Sequence, residues 1–151
     1  MKYLITSLLM LISMSAFSAD ITGKWKSIDD ETGKAKSIIE IWFDGKRYQG
    51  KIVKLLSSAE VNPLCTECKG SLKDQPIIGM QIITDAKKSG KKYKKGEILD
   101  PSEGKSYSLV MQLQGDDKLK VRGYIGFALL GRTQYWYRVV DTDTDDTIQT
   151  K

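Results

Sequence analysis

Lys118-Leu119-Lys120-Val121-Arg122-Gly123-Tyr124-Ile125 alternates long polar or charged side chains with apolar or small ones, residue by residue. Successive side chains of an extended strand point to opposite faces, so this octet predicts a strand with Leu119, Val121, Gly123 and Ile125 toward a core and its lysines and arginine toward water. Working outward, period-two stretches recur at 21–28, 36–43, 46–56, 77–84, 92–99, 105–113 and 132–140, which makes eight strands and no sustained 3.6-residue period. Between them stand Asp29-Asp30-Glu31-Thr32-Gly33, Asp44-Gly45, Ser89-Gly90, Asp100-Pro101-Ser102-Glu103-Gly104 and Gly115-Asp116, residues that accept turn geometry. Sequential hairpins of this kind build an all-β, antiparallel up-and-down sheet. Eight strands remove their exposed edges by closing into a barrel. A two-sheet sandwich is the alternative. The inward face is expected to carry Trp25, Ile39, Ile41, Phe43, Ile78, Met80, Ile82, Tyr107, Leu109, Met111 and Leu113.

The chain has 151 residues, 40% of them apolar, which suits one globular domain. It contains no histidine, so Ser-His-Asp and Cys-His catalysis, imidazole haem ligation and His-containing zinc sites are excluded together. Lys2 precedes an uncharged, mostly apolar run over 3–17 that has the length of a signal-peptide core and is short for a bilayer span. Ala16 and Ser18 supply small residues at −3 and −1, so 1–18 is expected to be removed on export, leaving Ala19 as the first residue. The remainder divides into a barrel domain over 19–140 and an acidic tail over 141–151, expected to be disordered. A periplasmic or secreted location follows, and nucleic acid is not an expected partner.

Gly23-Lys24-Trp25 on the first strand with Arg138 on the last resembles the calycin superfamily, which includes the lipocalins. That resemblance implies Trp25 packed at the closed barrel end against Arg138, with Arg132 the weaker match. A longer resemblance covers nearly the whole exported chain. Asp20-Ile-Thr-Gly-Lys-Trp, Asp29-Asp-Glu-Thr-Gly-Lys, Cys65-Thr-Glu-Cys-Lys-Gly, Gln75-Pro-Ile-Ile-Gly-Met, Ile98-Leu-Asp-Pro, Lys120-Val-Arg-Gly-Tyr-Ile-Gly and Leu130-Gly-Arg-Thr-Gln are similar, in order and spacing, to the exported bacterial family known as domain of unknown function 2147. The resemblance implies a lipocalin-like barrel and a bacterial protein, and it brings no catalytic residues.

Cys65 and Cys68 lie in the longest connection of a chain expected to meet an oxidising compartment, so a local disulfide is the expected pairing. Two cysteines without histidine do not complete a metal site, and no cofactor is expected. Lys87, Lys88, Lys91, Lys92, Lys94 and Lys95 cluster around the Ser89-Gly90 turn, either as a solvated hairpin or as a contact for an anionic surface. Phe127, Leu129 and Leu130 form an apolar connection between glycines, where connections are normally polar. They either cap the core, form a lip at a ligand mouth, or contact an envelope protein. Ile39, Ile41, Phe43, Met80, Ile82, Tyr107, Leu109 and Met111 describe a pocket wall and a filled core equally well. The chain is therefore expected to be a non-enzymatic binder of a small apolar or amphipathic molecule. The alternative is an envelope interaction module with a filled barrel.

Overall fold

The computed structural model describes residues 19–127 and 129–140. The segment over 1–18 expected to be removed on export, Ala128 and the acidic tail over 141–151 expected to be disordered lie outside the described residues. Eight antiparallel strands run in chain order: β1 (Gly23–Ile28), β2 (Ala35–Phe43), β3 (Tyr48–Leu55), β4 (Gln81–Ser89), β5 (Lys92–Asp100), β6 (Lys105–Gln114), β7 (Lys118–Tyr124) and β8 (Gly131–Arg138). Each pairs with its sequence neighbour, and β8 returns to β1, so the sheet is a closed barrel rather than a sandwich. The closing seam consists of Trp25 opposite Arg138, Lys26 opposite Tyr137 and Ser27 opposite Trp136.

Lys118–Tyr124 of the alternating octet form β7, with Leu119 and Val121 buried and the lysines half-buried. Ile125 falls just past the strand end and is exposed, because the backbone turns away at Gly126. β4 begins at Gln81, four residues later than the alternation placed it, and runs on through Lys87 and Lys88. Met80 still touches the sheet from outside the strand, its carbonyl accepting the Ile52 amide at 3.1 Å. Ile77, rather than Ile78, faces the interior, since the backbone of this approach is set by the loop: the Ile78 amide donates to Asn62 Oδ1.

The up-and-down topology divides the seven connections of the barrel between two ends. One end carries the β2–β3, β4–β5 and β6–β7 turns and the segment leading into β1. The other carries the β1–β2 turn, the long 56–80 connection, the β5–β6 turn and the apolar β7–β8 loop. The first end is filled. Trp25 and Ile21 are completely buried, together with Ile41, Leu109, Met111 and Leu119. The Arg138 guanidinium lies 4.3 Å from the Trp25 ring, a planar cation over an aromatic face. It also donates to the carbonyls of Asp20, Thr22 and Asp116 at 2.7 to 2.8 Å. Trp25 Nε1 donates to the Ile21 carbonyl at 2.8 Å. The stretch before β1 thus folds across the barrel bottom as a plug, with the Asp20 carboxylate accepting from the Tyr48 and Tyr93 hydroxyls. Burial, and then the Asp20 charge, push both phenols upward from their ordinary range.

Candidate functional site

The other half of the barrel is hollow. A cavity of about 610 Å³ opens between the β1–β2, β5–β6 and β7–β8 connections, within the size range of small-molecule sites. Its apolar wall includes Ile39 of β2, Ile52 of β3, Ile82 of β4, Ile98 of β5 and Val121 of β7, and Trp136, in the closed-end half of β8, lines its inner end.

Polar groups are few and held in place. Ser27 and Ser37, opposite one another on β1 and β2, share a 2.8 Å hydroxyl contact, and the Ser37 amide donates to Ser27 Oγ. Along β8, Trp136 Nε1 donates to Gln134 Oε1, and Gln134 Nε2 donates to Asp30 Oδ1. Asp30 is gripped by Arg132 through Nε at 3.1 Å and Nη2 at 3.0 Å, and Arg132 Nη2 also reaches Glu31 at 2.9 Å. Burial opposes ionisation of Asp30, but the Arg132 and Gln134 hydrogen bonds outweigh it and leave the carboxyl below its usual range. The network ties the β1–β2 turn to the neighbouring β8 along the rim of the mouth.

On the facing side, Tyr107 donates to Glu103 Oε2 at 2.6 Å. This bond holds the Glu103 carboxyl below its usual range, and it pushes the Tyr107 phenol up to about 12. Asp100 is committed within its own turn, accepting the Ser102 amide and hydroxyl.

Cys65 and Cys68 form a disulfide, with Cα atoms 5.3 Å apart, in the long connection beside this mouth. Both half-cystines are buried. The β5–β6 turn rests directly on their loop. Gly104 has φ +62°, and a Cβ there would sit 1.8 Å from the Glu67 carbonyl oxygen, so only glycine allows this approach.

Of the eight residues that sequence alternation offered as pocket wall, Ile39, Ile82 and Tyr107 line the cavity. Ile41, Leu109 and Met111 are buried in the filled half, and Met80 is buried just before β4 without lining the cavity. Phe43 is 50% exposed. It ends β2 at the rim of the closed end, where no further layer covers it, and its ring leans on Tyr48 at 4.9 Å. Ile52, Ile98 and Trp136, with the polar Ser27, Ser37 and Gln134, belong to the wall although alternation did not single them out as site residues. Phe127, Leu129 and Leu130 do not cap the core. They are 79%, 91% and 75% exposed, and Leu129 and Leu130 form one lip of the mouth. The lysine cluster sits at the opposite, closed end, where Lys87 stands across from Lys94.

A model of the bacterial family described as "Uncharacterized protein conserved in bacteria (DUF2147)" matches residues 23–138. No curated protein matches the chain. Among solved structures, the chain is similar to one titled "Protein HP1028 from the human pathogen Helicobacter pylori belongs to the lipocalin family", with a TM-score of 0.74 and 16% sequence identity over 83% of this chain and 87% of that one.

Proposed function

We propose, from the premise that the chain belongs to the bacterial DUF2147 family and folds as a lipocalin-like barrel, that it is a non-enzymatic carrier of a small apolar or amphipathic molecule in the bacterial envelope. The observation that carries this is the half-filled barrel. A chain selected only for stability would pack its interior throughout, since voids forfeit dispersion contacts, yet here dense packing stops midway and an open apolar chamber of about 610 Å³ takes over. Among the described residues no buried side-chain polar atom lacks a hydrogen-bond partner, so the chamber needs no ligand to satisfy its buried polar groups. The apolar run over 3–17 and its small-residue boundary support export, in agreement with a disulfide that an oxidising compartment would maintain.

Native mass spectrometry of the protein recovered from the bacterial envelope tests this. A retained small-molecule adduct is expected, and repeated recovery of the bare chain with no saturable uptake of any apolar compound would overturn it.

The exposed Phe127, Leu129 and Leu130 favour a second reading, a contact surface for another envelope protein. The filled core which that alternative supposed describes only the closed half of the barrel. Co-purification of a partner that is lost in Leu129→Asp, with no small molecule bound, would favour it over carriage.

A further inference from the structure

The β1–β2 ladder is regular from Gly23 opposite Ile41 to Ser27 opposite Ser37, and then slips: Ile28 stands opposite Ala35. The extra residue on β2 is Lys36. A bulge inserts one unpaired residue and redirects side chains that strict alternation would send to opposite faces. Here both Lys36 and Ser37 belong to the cavity wall.

Four charged residues line the cavity: Lys36, Asp100, Glu103 and Arg132. Three have their charge engaged. Asp100 is held by Ser102, Glu103 by Tyr107 and by Lys105 at 3.6 Å, and Arg132 by Asp30 and Glu31. The Lys36 ammonium makes no ion pair among the described residues; its charge acts on the Asp29 carboxylate of the β1–β2 turn, which is itself committed to the Thr32 amide and hydroxyl. Arg132 is balanced by Asp30 and Glu31 of the β1–β2 turn, and Asp100 and Glu103 stand on the β5–β6 side, so Lys36 is the lining cation left to meet an anionic head.

We infer that Lys36 is the head-group ligand of the cavity, and that the molecule carried is an amphiphile with an anionic head, its tail lying against Ile39, Ile52, Val121 and Trp136. This rests on the carriage function proposed above. An ammonium paired with an anionic head at a partly desolvated mouth makes a charge-assisted hydrogen bond, stronger than one to a neutral hydroxyl. Ser37, on the same bulge, places a hydroxyl beside it.

The test compares dodecanoate, dodecyl phosphate and 1-dodecanol, each below the concentration at which it aggregates, by tryptophan fluorescence with Trp136 in the cavity wall as reporter. The full chain should bind at least one of the two anions about tenfold or more tighter than the alcohol, the tighter of the pair identifying the head as carboxylate or phosphate. Lys36→Gln should abolish that preference while leaving dodecanol affinity unchanged, and Lys36→Arg should keep it. Equal binding of all three ligands by the full chain, a preference that survives in Lys36→Gln, or a parallel loss of dodecanol would each overturn the role of Lys36 while carriage stands. Failure of all three to bind would instead refute carriage itself.

Discussion

Replacing Trp25 with alanine examines the closed end, on which the hollow half is built. Trp25 is completely buried, so the substitution removes an aromatic side chain of about 150–250 Å² from the core, worth about 4–6 kcal/mol by area. Compactness of the unfolded chain lowers that figure, and measured large-aromatic truncations centre on about 3–5 kcal/mol, which we take as the expected loss. Within it, about 1–2 kcal/mol should belong to the Arg138 guanidinium 4.3 Å above the ring. A double-mutant cycle isolates that part. Trp25→Ala, Arg138→Ala and the double variant, unfolded in urea, should give a coupling of about 1–2 kcal/mol, and the melting temperature of Trp25→Ala should fall by roughly 10–20 °C. Arg138→Lys should recover little, since an ammonium cannot span the Asp20, Thr22 and Asp116 carbonyls together. A loss below about 1 kcal/mol for Trp25→Ala, or strictly additive single variants, would refute the plug and its cation–π brace.

Gly104→Ala should destabilise by more than about 1 kcal/mol in urea unfolding, since φ +62° and the Glu67 carbonyl both oppose a side chain; an unchanged midpoint would mean the two loops do not touch as described. Replacing Cys65 and Cys68 with serine should cost about 2 kcal/mol or less, because the closed loop is only a few residues long, and a chain unable to fold would contradict this. Tyr107 is expected to ionise near 12, with Glu103→Gln bringing it back toward the ordinary range, measured by tyrosinate absorbance against Tyr107→Phe. Because its folded-state pKa is raised, the stability due to this bond is fully present below about pH 10 and is lost as the pH rises toward 12. The Glu103 carboxyl, whose folded-state pKa is lowered, gives the opposite limb: its contribution is present above the carboxylate range and is lost on acidification, so Tyr107→Phe should flatten the stability profile at both extremes.

Eight strands and their order were legible in the sequence because each strand faces the interior on one side only, and period two survives wherever no bulge intervenes. Trp25 of Gly-x-Trp and Arg138 meet at the filled end, the guanidinium over the ring, and Cys65 pairs with Cys68. The cavity was less legible. Alternation separates inside from outside but not one barrel end from the other, so Ile41, Leu109 and Met111 read the same as Ile39 and Ile82. A usable signal was present. Once Trp25 marks the closed end, strand parity assigns every turn to an end, and the mouthward halves of β5 and β8 then point to Ile98 and Gln134, while Val121 and Trp136 mark where the chamber meets the filled half. Lys36 was hidden for another reason: a bulge breaks the period, and alternation misassigns the residues around it. The β4 boundary was obscured in the same way, because Ile77, Ile78, Met80 and Ile82 continue an apolar pattern through a segment whose amides bond to a loop.

The central claim is that the mouth half of the barrel is a binding chamber, and the most direct measurement is a saturation titration with an uncharged, environment-sensitive apolar dye on the full chain, Ile98→Trp and Leu129→Asp. Ile98 is a half-buried residue of the chamber wall, and an indole in its place narrows the space, whereas Leu129 stands 91% exposed at the lip. The account predicts one dye per chain, binding abolished or strongly weakened in Ile98→Trp at an unchanged fold, and only modestly affected in Leu129→Asp. Binding lost in Leu129→Asp but intact in Ile98→Trp would assign the dye to a surface patch, and an unsaturable response in the unaltered chain would contradict the chamber outright.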